Sequence, residues 1–235
     1  MLFRKKRSSL IEGGILDGAV DNHSHILYGV DDGVRTLEES LTILQYMEEQ
    51  GFRKVWLTPH TMEDVPNTTE GLKARFEELK AAYKGGLELD LASEYMMDPP
   101  FVERMRRGDL LFHDEDMVLV ETSTWSAPYE FWDILEEMMS SGYRPVIAHP
   151  ERYRYMEMRD YERLHKMGCR LQLNIPSIVG FYGSREKAKA EALLGKGWYD
   201  MAGTDTHRFR IQKHWLNEPV ITDKVMAQLT ALVHL

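Results

Sequence analysis

Only one cysteine, Cys169, occurs in the 235-residue chain. An intrachain disulfide is therefore excluded, and a reducing, cytoplasmic setting is the expectation. Basic charge is also short: 29 Lys and Arg face 38 Asp and Glu, a formal charge of −9. That balance argues against a nucleic-acid partner, which needs a clustered basic face. No apolar run approaches the roughly 18 residues of a membrane helix, so no membrane span is expected. The basic start through Lys5-Lys6-Arg7 is followed by Glu12, Asp17 and several glycines, not by the apolar stretch of a signal peptide. It reads as a solvated tail. There is no Pro-, Gly- or Ser-rich linker and no repeat. Residues 1–235 read as one domain, with 1–16 a flexible or loosely packed N-terminal segment.

What the chain does contain is an alternation of short apolar runs and amphipathic stretches. Strands are predicted to end at Ala19–Asn22, Lys54–Thr58, Leu87–Ser93, Met117–Val120, Pro145–Ala148, Arg170–Leu173 and Tyr199–Gly203. Their near-continuous apolar character suits parallel strands covered on both faces. Helix signals fall between them. Thr36 with Glu39 and Asn67 with Glu70 read as N-terminal caps, the first helix closing at Gly51 and the second near Gly85–Gly86. Asp98-Pro99 opens a helix that stops at Gly108. Further helices are expected over Tyr129–Ser141, Arg159–Met167, Ser184–Leu194 (closing at Gly195) and Asp223–Val233. Seven strand–helix units imply an α/β fold, either a closed barrel or an open doubly wound sheet.

The chemistry lies at the carboxyl ends of those strands. The first ends in Asp21-Asn22-His23-Ser24-His25, the second in Thr58-Pro59-His60, and the third in Ser93-Glu94. The fourth ends in Val120-Glu121, the fifth in His149-Pro150-Glu151-Arg152, and the seventh in Thr204-Asp205-Thr206-His207. Only the sixth, ending at Asn174, offers no ligand there. In α/β barrels this face carries the active site. Residues i and i+2 of a strand point the same way, so His23 and His25 can reach one ion. Imidazole plus carboxylate without thiolate suits zinc, manganese or iron. Any single buried His or Glu is ordinary, whereas ligand types at six strand ends are not, because so many buried carboxylates need a compensating cation. His113, His165, His214 and His234 fall on loops or helices and read as non-ligands.

The run Asp21-Asn22-His23-Ser24-His25-Ile26-Leu27 with Gly29-Val30-Asp31-Asp32-Gly33 resembles the polymerase-and-histidinol-phosphatase (PHP) superfamily. Within it the chain is most similar to the bacterial capsule-biosynthesis tyrosine phosphatases of the CpsB/CapC/YwqE type. The likeness continues through Thr58-Pro59-His60, Glu94, Glu121, His149-Pro150-Glu151-Arg152-Tyr153 and Asp205-Thr206-His207. It implies a distorted seven-stranded (β/α) barrel of TIM-like PHP fold and three divalent ions, manganese first, iron or zinc as alternatives. Carried over by position, it implies one ion on His23, His25, Glu94 and Asp205, and a second on Asp32, His60 and His207. The third would take Glu94, Glu121 and His149, with Glu94 bridging. Asp31 competes with Asp32 for its place. Arg152 matches a phosphate-binding arginine, with Arg208 and Arg210 as candidates for a second, and Arg152, Asp205 and His207 form the implied catalytic set. The implied substrate is a phosphotyrosine protein, a bacterial tyrosine kinase tail through which peripheral membrane contact could arise. The loops with Trp125, Tyr129, Tyr153 and Tyr155 could form an aromatic cleft mouth. Rival readings are a histidinol-phosphate-like small-molecule phosphatase sharing the site, a metallo-nuclease, which the net acidity disfavours, and a non-catalytic barrel, which the intact ligand set disfavours.

Overall fold

A computed structural model describes residues 7–234. Lys5 and Lys6 of the basic run lie outside the described residues. The chain runs β1 (Arg7–Ser8), β2 (Val20–Asp21), α1 (Leu37–Glu49), β3 (Lys54–Leu57), β4 (His60–Thr61), α2 (Thr69–Ala82), β5 (Glu88–Leu91), β6 (Glu94–Met96) and α3 (Pro99–Arg107). It continues through β7 (Met117–Glu121), α4 (Phe131–Ser140), β8 (Arg144–Ala148), a 3₁₀ turn (Pro150–Arg152), α5 (Met158–Met167), β9 (Arg170–Asn174), α6 (Ile175–Val179) and α7 (Ser184–Lys196). It ends with β10 (Met201–Gly203), α8 (Phe209–Leu216), β11 (Ile221–Thr222) and α9 (Asp223–Val233).

The architecture is an α/β fold built on a curled, parallel half-barrel. Six strands pair in the order β10-β9-β8-β7-β6-β4, and three in the order β2-β3-β5. The single seven-stranded ladder implied by the resemblance is not what the strand pairing describes. The second and third strands each break in two. Pro59, between β3 and β4, has no N–H for a ladder bond. Ala92 and Ser93 separate β5 from β6. Of the amino halves, β3 therefore pairs with β2 and β5 with β3; of the carboxyl halves, β6 pairs with β7 and β4 with β6. Single contacts bridge the sheets: Asn22 N–H donates to Ala202 O at 3.1 Å and Asp205 N–H to His23 O at 2.8 Å.

Helix bounds largely follow the expected signals. Thr36 and Asp98 accept from Glu39 N–H and Phe101 N–H. The second cap is Thr68, accepting from Gly71 N–H, not Asn67. The Asn67 side-chain amide instead donates to Val30 O and His60 O, both at 2.8 Å, tying two strand-end loops together. The Ser184 helix passes Gly195 and closes at Gly197. Residues 7–16 are not loose. β1 pairs antiparallel with β11, and Leu10, Ile15 and Leu16 are buried. The core lies between sheet and helices, while Leu119, Val146, Ala148 and Met201 form a separate cluster. That inner cluster and the β7, β8 and β9 backbones, buried over most of their length, give the strand ends a rigid base.

Candidate metal centre

The first strand is pinned before it delivers its histidines. Buried Asp21 accepts from Thr204 N–H at 2.7 Å and from the Thr204 hydroxyl at 2.6 Å, joining the ends of the first and last strands. Burial pushes its carboxyl up to about 7 despite those bonds. His23 Nδ1–H donates to Gln172 Oε1 at 2.9 Å, and His25 Nδ1–H to Asp31 Oδ2 at 2.8 Å. Each bond fixes a tautomer and leaves Nε2 bare. The two Nε2 atoms then lie 3.0 Å apart. Two glycines permit this crowding. A Cβ on Gly203 would come within 2.4 Å of His23 Cβ, and one on Gly33 within 2.2 Å of His25 O.

Around these nitrogens the other predicted residues converge. Glu94 Oε2 lies 3.2 Å from His23 Nε2 and 3.3 Å from His25 Nε2, and Asp205 Oδ1 lies 3.8 and 3.4 Å from the same atoms. Asp32 Oδ1 faces His60 Nε2 at 3.7 Å and His207 Nε2 at 3.4 Å. His60 Nδ1 lies 3.1 Å from both Glu94 and Glu121, and His149 Nε2 lies 2.8 Å from Glu94 Oε1. The donor atoms of His25, Asp32, His60 and His207 lie within 4.8 Å of one another, as do those of His23, His25 and Glu94, and those of His60, Glu94 and Glu121. Asp31 and Asp32 part company here. The Asp31 carboxylate is buried, with both oxygens taken by His25, Gly33 N–H and His60 N–H. Asp32 is exposed and is the aspartate that faces His60 and His207.

The donor set fits divalent cations. His60 Nδ1 and Glu94 Oε2 are buried without a hydrogen-bond partner, although 3.1 Å apart. Such atoms approach each other without aligning on each other, as ligands aimed at a shared third point do. Buried Glu94, Glu121 and Asp205 would be costly without compensating charge. Protons can provide it as well as cations. Burial alone would lower His23 and His60, but Glu94 and its neighbouring carboxylates hold them up, at about 9 and about 12. The imidazoles in turn hold Glu94 well below the usual carboxylate range against its own burial, and the His207 contact brings Asp32 down to about 2. Metal ions and protons therefore compete for one cluster.

The arginines differ. Arg152, on the 3₁₀ turn after β8, donates to Asp205 Oδ2 at 2.9 Å, and its guanidinium lies 4.4 Å from the Tyr182 ring centre. It pairs with neither Glu151 nor Glu157; Glu151 is buried and accepts from Asn174 N–H and the Tyr199 hydroxyl. Arg208 donates to Gly33 O and His207 O, bracing the Asp31–Gly33 loop. Arg210 is exposed on α8. Of the aromatic residues expected at a cleft mouth, Trp125 and Tyr129 are exposed, Tyr155 is half-buried and Tyr153 is fully buried. Tyr153 packs edge-on against His149 and accepts from Thr122 N–H, so it belongs to the support of the site, not its rim.

Sequence reasoning passed over four supporting residues. Gln172 and Asn174 alternate on β9, both fully buried; Asn174 donates to Asp205 Oδ2 at 2.7 Å. Two amides at i and i+2 on an otherwise apolar strand were the available signal. Tyr182, which donates to Asp205 Oδ2 at 3.3 Å, carried no such signal, and Asp21 stood in the strand-end run without a role of its own. His149 and Asp205 adopt left-handed backbone, φ 34° and 51°. Non-glycine residues pay strain for that conformation, and such strain concentrates at functional sites.

The sequence matches the capsular polysaccharide synthesis family CpsB/CapC over residues 19–224. It is 27% identical over 219 residues to the tyrosine-protein phosphatase CpsB of Streptococcus agalactiae, covering 85% of this chain and 87% of that protein. It is 26% identical over 214 residues to the tyrosine-protein phosphatase YwqE of Bacillus subtilis, covering 85% and 81%. Among solved structures, one reported for YwqE from Bacillus subtilis and CpsB from Streptococcus pneumoniae, unique metal-dependent tyrosine phosphatases, superposes with a TM-score of 0.73 at 24% identity, covering 92% of this chain and 88% of that one. Histidinol phosphate phosphatase from Lactococcus lactis, complexed with zinc, L-histidinol and phosphate, follows the same fold more distantly, with a TM-score of 0.53 at 11% identity and 92% and 94% coverage.

Proposed function

The chain belongs to the CpsB/CapC capsular polysaccharide synthesis family, and from that premise we propose that it is a metal-dependent protein-tyrosine phosphatase. The observation that carries the reading is the convergence of His23, His25, Asp32, His60, Glu94, Glu121, His149, Asp205 and His207 on one face of the fold. The expected grouping holds three ions, manganese first. His23, His25, Glu94 and Asp205 would hold one, Asp32, His60 and His207 a second, and Glu94, Glu121 and His149 a third. The contacts joining the two sheets, including the parallel bridge between Ser24 and Thr206, support reading the half-barrel as one closed, distorted seven-stranded barrel within a single domain.

Bound divalent ions supply the positive charge that a phosphate monoester dianion and its in-line transition state require. The chain's own residues do the positioning. Gln172 and Asp31 hold His23 and His25 in the tautomer that leaves Nε2 free. Arg152 presents a planar fork suited to two phosphoryl oxygens, oriented by Asp205 and the Tyr182 ring. Cys169 is no nucleophile: it is buried, and burial pushes its thiol up to about 11. A phenolate leaving group, with a pKa near 10, departs more readily than an alkoxide, which suits a phosphotyrosyl ester.

The proposed substrate is a phosphotyrosine tail on a bacterial tyrosine kinase controlling polysaccharide export, met in the cytoplasm. No described helix is long and apolar enough to cross a membrane. The test compares kcat/KM for phosphotyrosine, phosphoserine and histidinol phosphate under saturating Mn²⁺, before and after chelation. Phosphotyrosine preferred by at least about tenfold, roughly 1.4 kcal/mol, with activity lost on chelation and restored by Mn²⁺, is the expected result. Full activity after prolonged chelation refutes the metal reading, and a preference for histidinol phosphate moves the assignment to small molecules.

A further inference from the structure

Beside the metal centre lies a cavity of 180 Å³ that shares Asp205, His207 and Arg208 with it. Its walls are Phe181, Tyr182, Ile211 and Trp215, from the turn after α6 and from α8. Phe181 and Ile211 are 44% and 42% exposed, two of the large apolar side chains that the described fold leaves open to solvent. Gln212 also lines the cavity. It is fully buried, and neither its Nε2 nor its Oε1 has a hydrogen-bond partner. Leaving a buried carboxamide unsatisfied is costly, so this one is poised to pair with something that enters. The size is right for one aromatic ring, since a cavity of about 150 Å³ accommodates benzene.

We propose that this cavity is a peptide subsite, which receives a second side chain of the substrate, next to the phosphotyrosine, and that this side chain is aromatic with a hydrogen-bonding tip. The inference rests on the phosphatase reading and adds to it a sequence preference in the substrate. Apolar walls select the ring, and the Gln212 carboxamide, offering one acceptor and two donors, pairs with a phenolic hydroxyl. Tyrosine meets both conditions; phenylalanine meets only the first. The cavity borders His207 and Asp205, so a flanking side chain seated there leaves the phosphoryl position over the ligand cluster free.

The experiment uses Mn²⁺-loaded full-length protein and phosphotyrosine hexapeptides carrying Tyr, Phe or Ala at each position flanking the phosphotyrosine, other positions alanine. The readout is kcat/KM for each peptide divided by kcat/KM for p-nitrophenyl phosphate, which normalises for folding and metal loading. At one flanking position, Tyr should exceed Ala by at least tenfold, with Phe between. Gln212→Leu should erase the advantage of Tyr over Phe, while Phe181→Ala and Ile211→Ala should shrink both against Ala. Equal ratios at every flanking position overturn the proposal, as does a Tyr-over-Phe advantage that survives Gln212→Leu. Should Gln212→Leu fail to fold, discrimination retained in both half-exposed wall variants overturns it equally. A wild-type protein that turns over p-nitrophenyl phosphate but none of the phosphopeptides removes the tyrosine-phosphatase reading itself, a different result from flank-independent turnover.

Discussion

Replacing Asp31 by asparagine tests whether the centre depends on the carboxylate that orients His25 rather than only on the residues facing the ions. Asp31 Oδ2 accepts from His25 Nδ1 at 2.8 Å and from His60 N–H at 3.0 Å, while Oδ1 accepts from Gly33 N–H at 2.8 Å. Asparagine has one oxygen for these three donors. With its oxygen in the Oδ2 place, its NH₂ meets the Gly33 N–H. Turned over, the NH₂ meets His25 and His60 instead. Either way two donors face each other in a buried place, and the negative charge facing His25 is gone. Partners of this kind typically contribute 10–100-fold in metal affinity or activity, about 1.4–2.7 kcal/mol. Asp31→Asn should lower Mn²⁺ affinity, read by calorimetric titration of metal-stripped protein, and lower kcat/KM by a matching factor, with an unchanged far-ultraviolet dichroism spectrum. Asp32→Asn should also weaken binding, but by removing a group that faces His60 and His207 directly. Wild-type affinity and turnover in Asp31→Asn would refute the orienting role.

Arg152→Lys keeps the charge but loses the planar fork and the stacking on Tyr182; kcat/KM should fall by about 2–4 kcal/mol in transition-state terms, and a wild-type rate would make Arg152 a structural partner of Asp205 alone. Cys169→Ser should retain turnover, and thiol-alkylating reagents should inhibit little, because the thiol is buried and held up near 11; a trapped phosphocysteine would contradict this. His113 is buried against Trp56, with ring centres 4.1 Å apart, and burial lowers it to about 4. Its folded value lies below the unfolded 6.5, so the unfolded chain binds more protons between pH 6.5 and 4, and stability should fall as pH drops through that window. The full shift corresponds to about 3 kcal/mol. His113→Phe keeps the stacking and should flatten that part of a denaturation-versus-pH curve; an unchanged slope would refute it.

Much of the site was legible because its residues sit where short-range rules apply. His23, His25, His60, Glu94, Glu121, His149, Asp205 and His207 each follow an apolar run, and a parallel strand aims its last residues at one face. Strand pairing was less legible, since Pro59 and the Ala92–Ser93 kink decide it through a missing donor and a local bend, neither visible as periodicity. Asn67 looked like a cap because caps and loop ties use the same amide, and only the third dimension brought Val30 O and His60 O to it. Helix α8 begins at Arg208 without a side-chain cap bond, so no start signal marked it. The burial of Tyr153 was hidden for a similar reason: an aromatic after a strand end reads alike whether it faces solvent or packs on His149.

The pairing of β1 with β11 carries a kinetic meaning. Arg7 and Ser8 find their partners only in Ile221 and Thr222, and the first parallel strand reaches across to Ala202 and Thr206. During synthesis β2 can meet β3 early, but β1 and the other edge of the first parallel strand stay unpaired until the last segment is made, because loop-closure entropy delays contacts of such separation. Unpaired strand edges on incomplete chains invite association with one another. Arrested nascent chains ending near residue 200 should therefore remain protease-sensitive around residues 7–22, and become resistant there only when the segment from β10 to α9 has left the exit tunnel. Synthesis of this protein therefore joins its first strands to its last only at the end, and a truncated product lacks the segment that covers its amino-terminal edge.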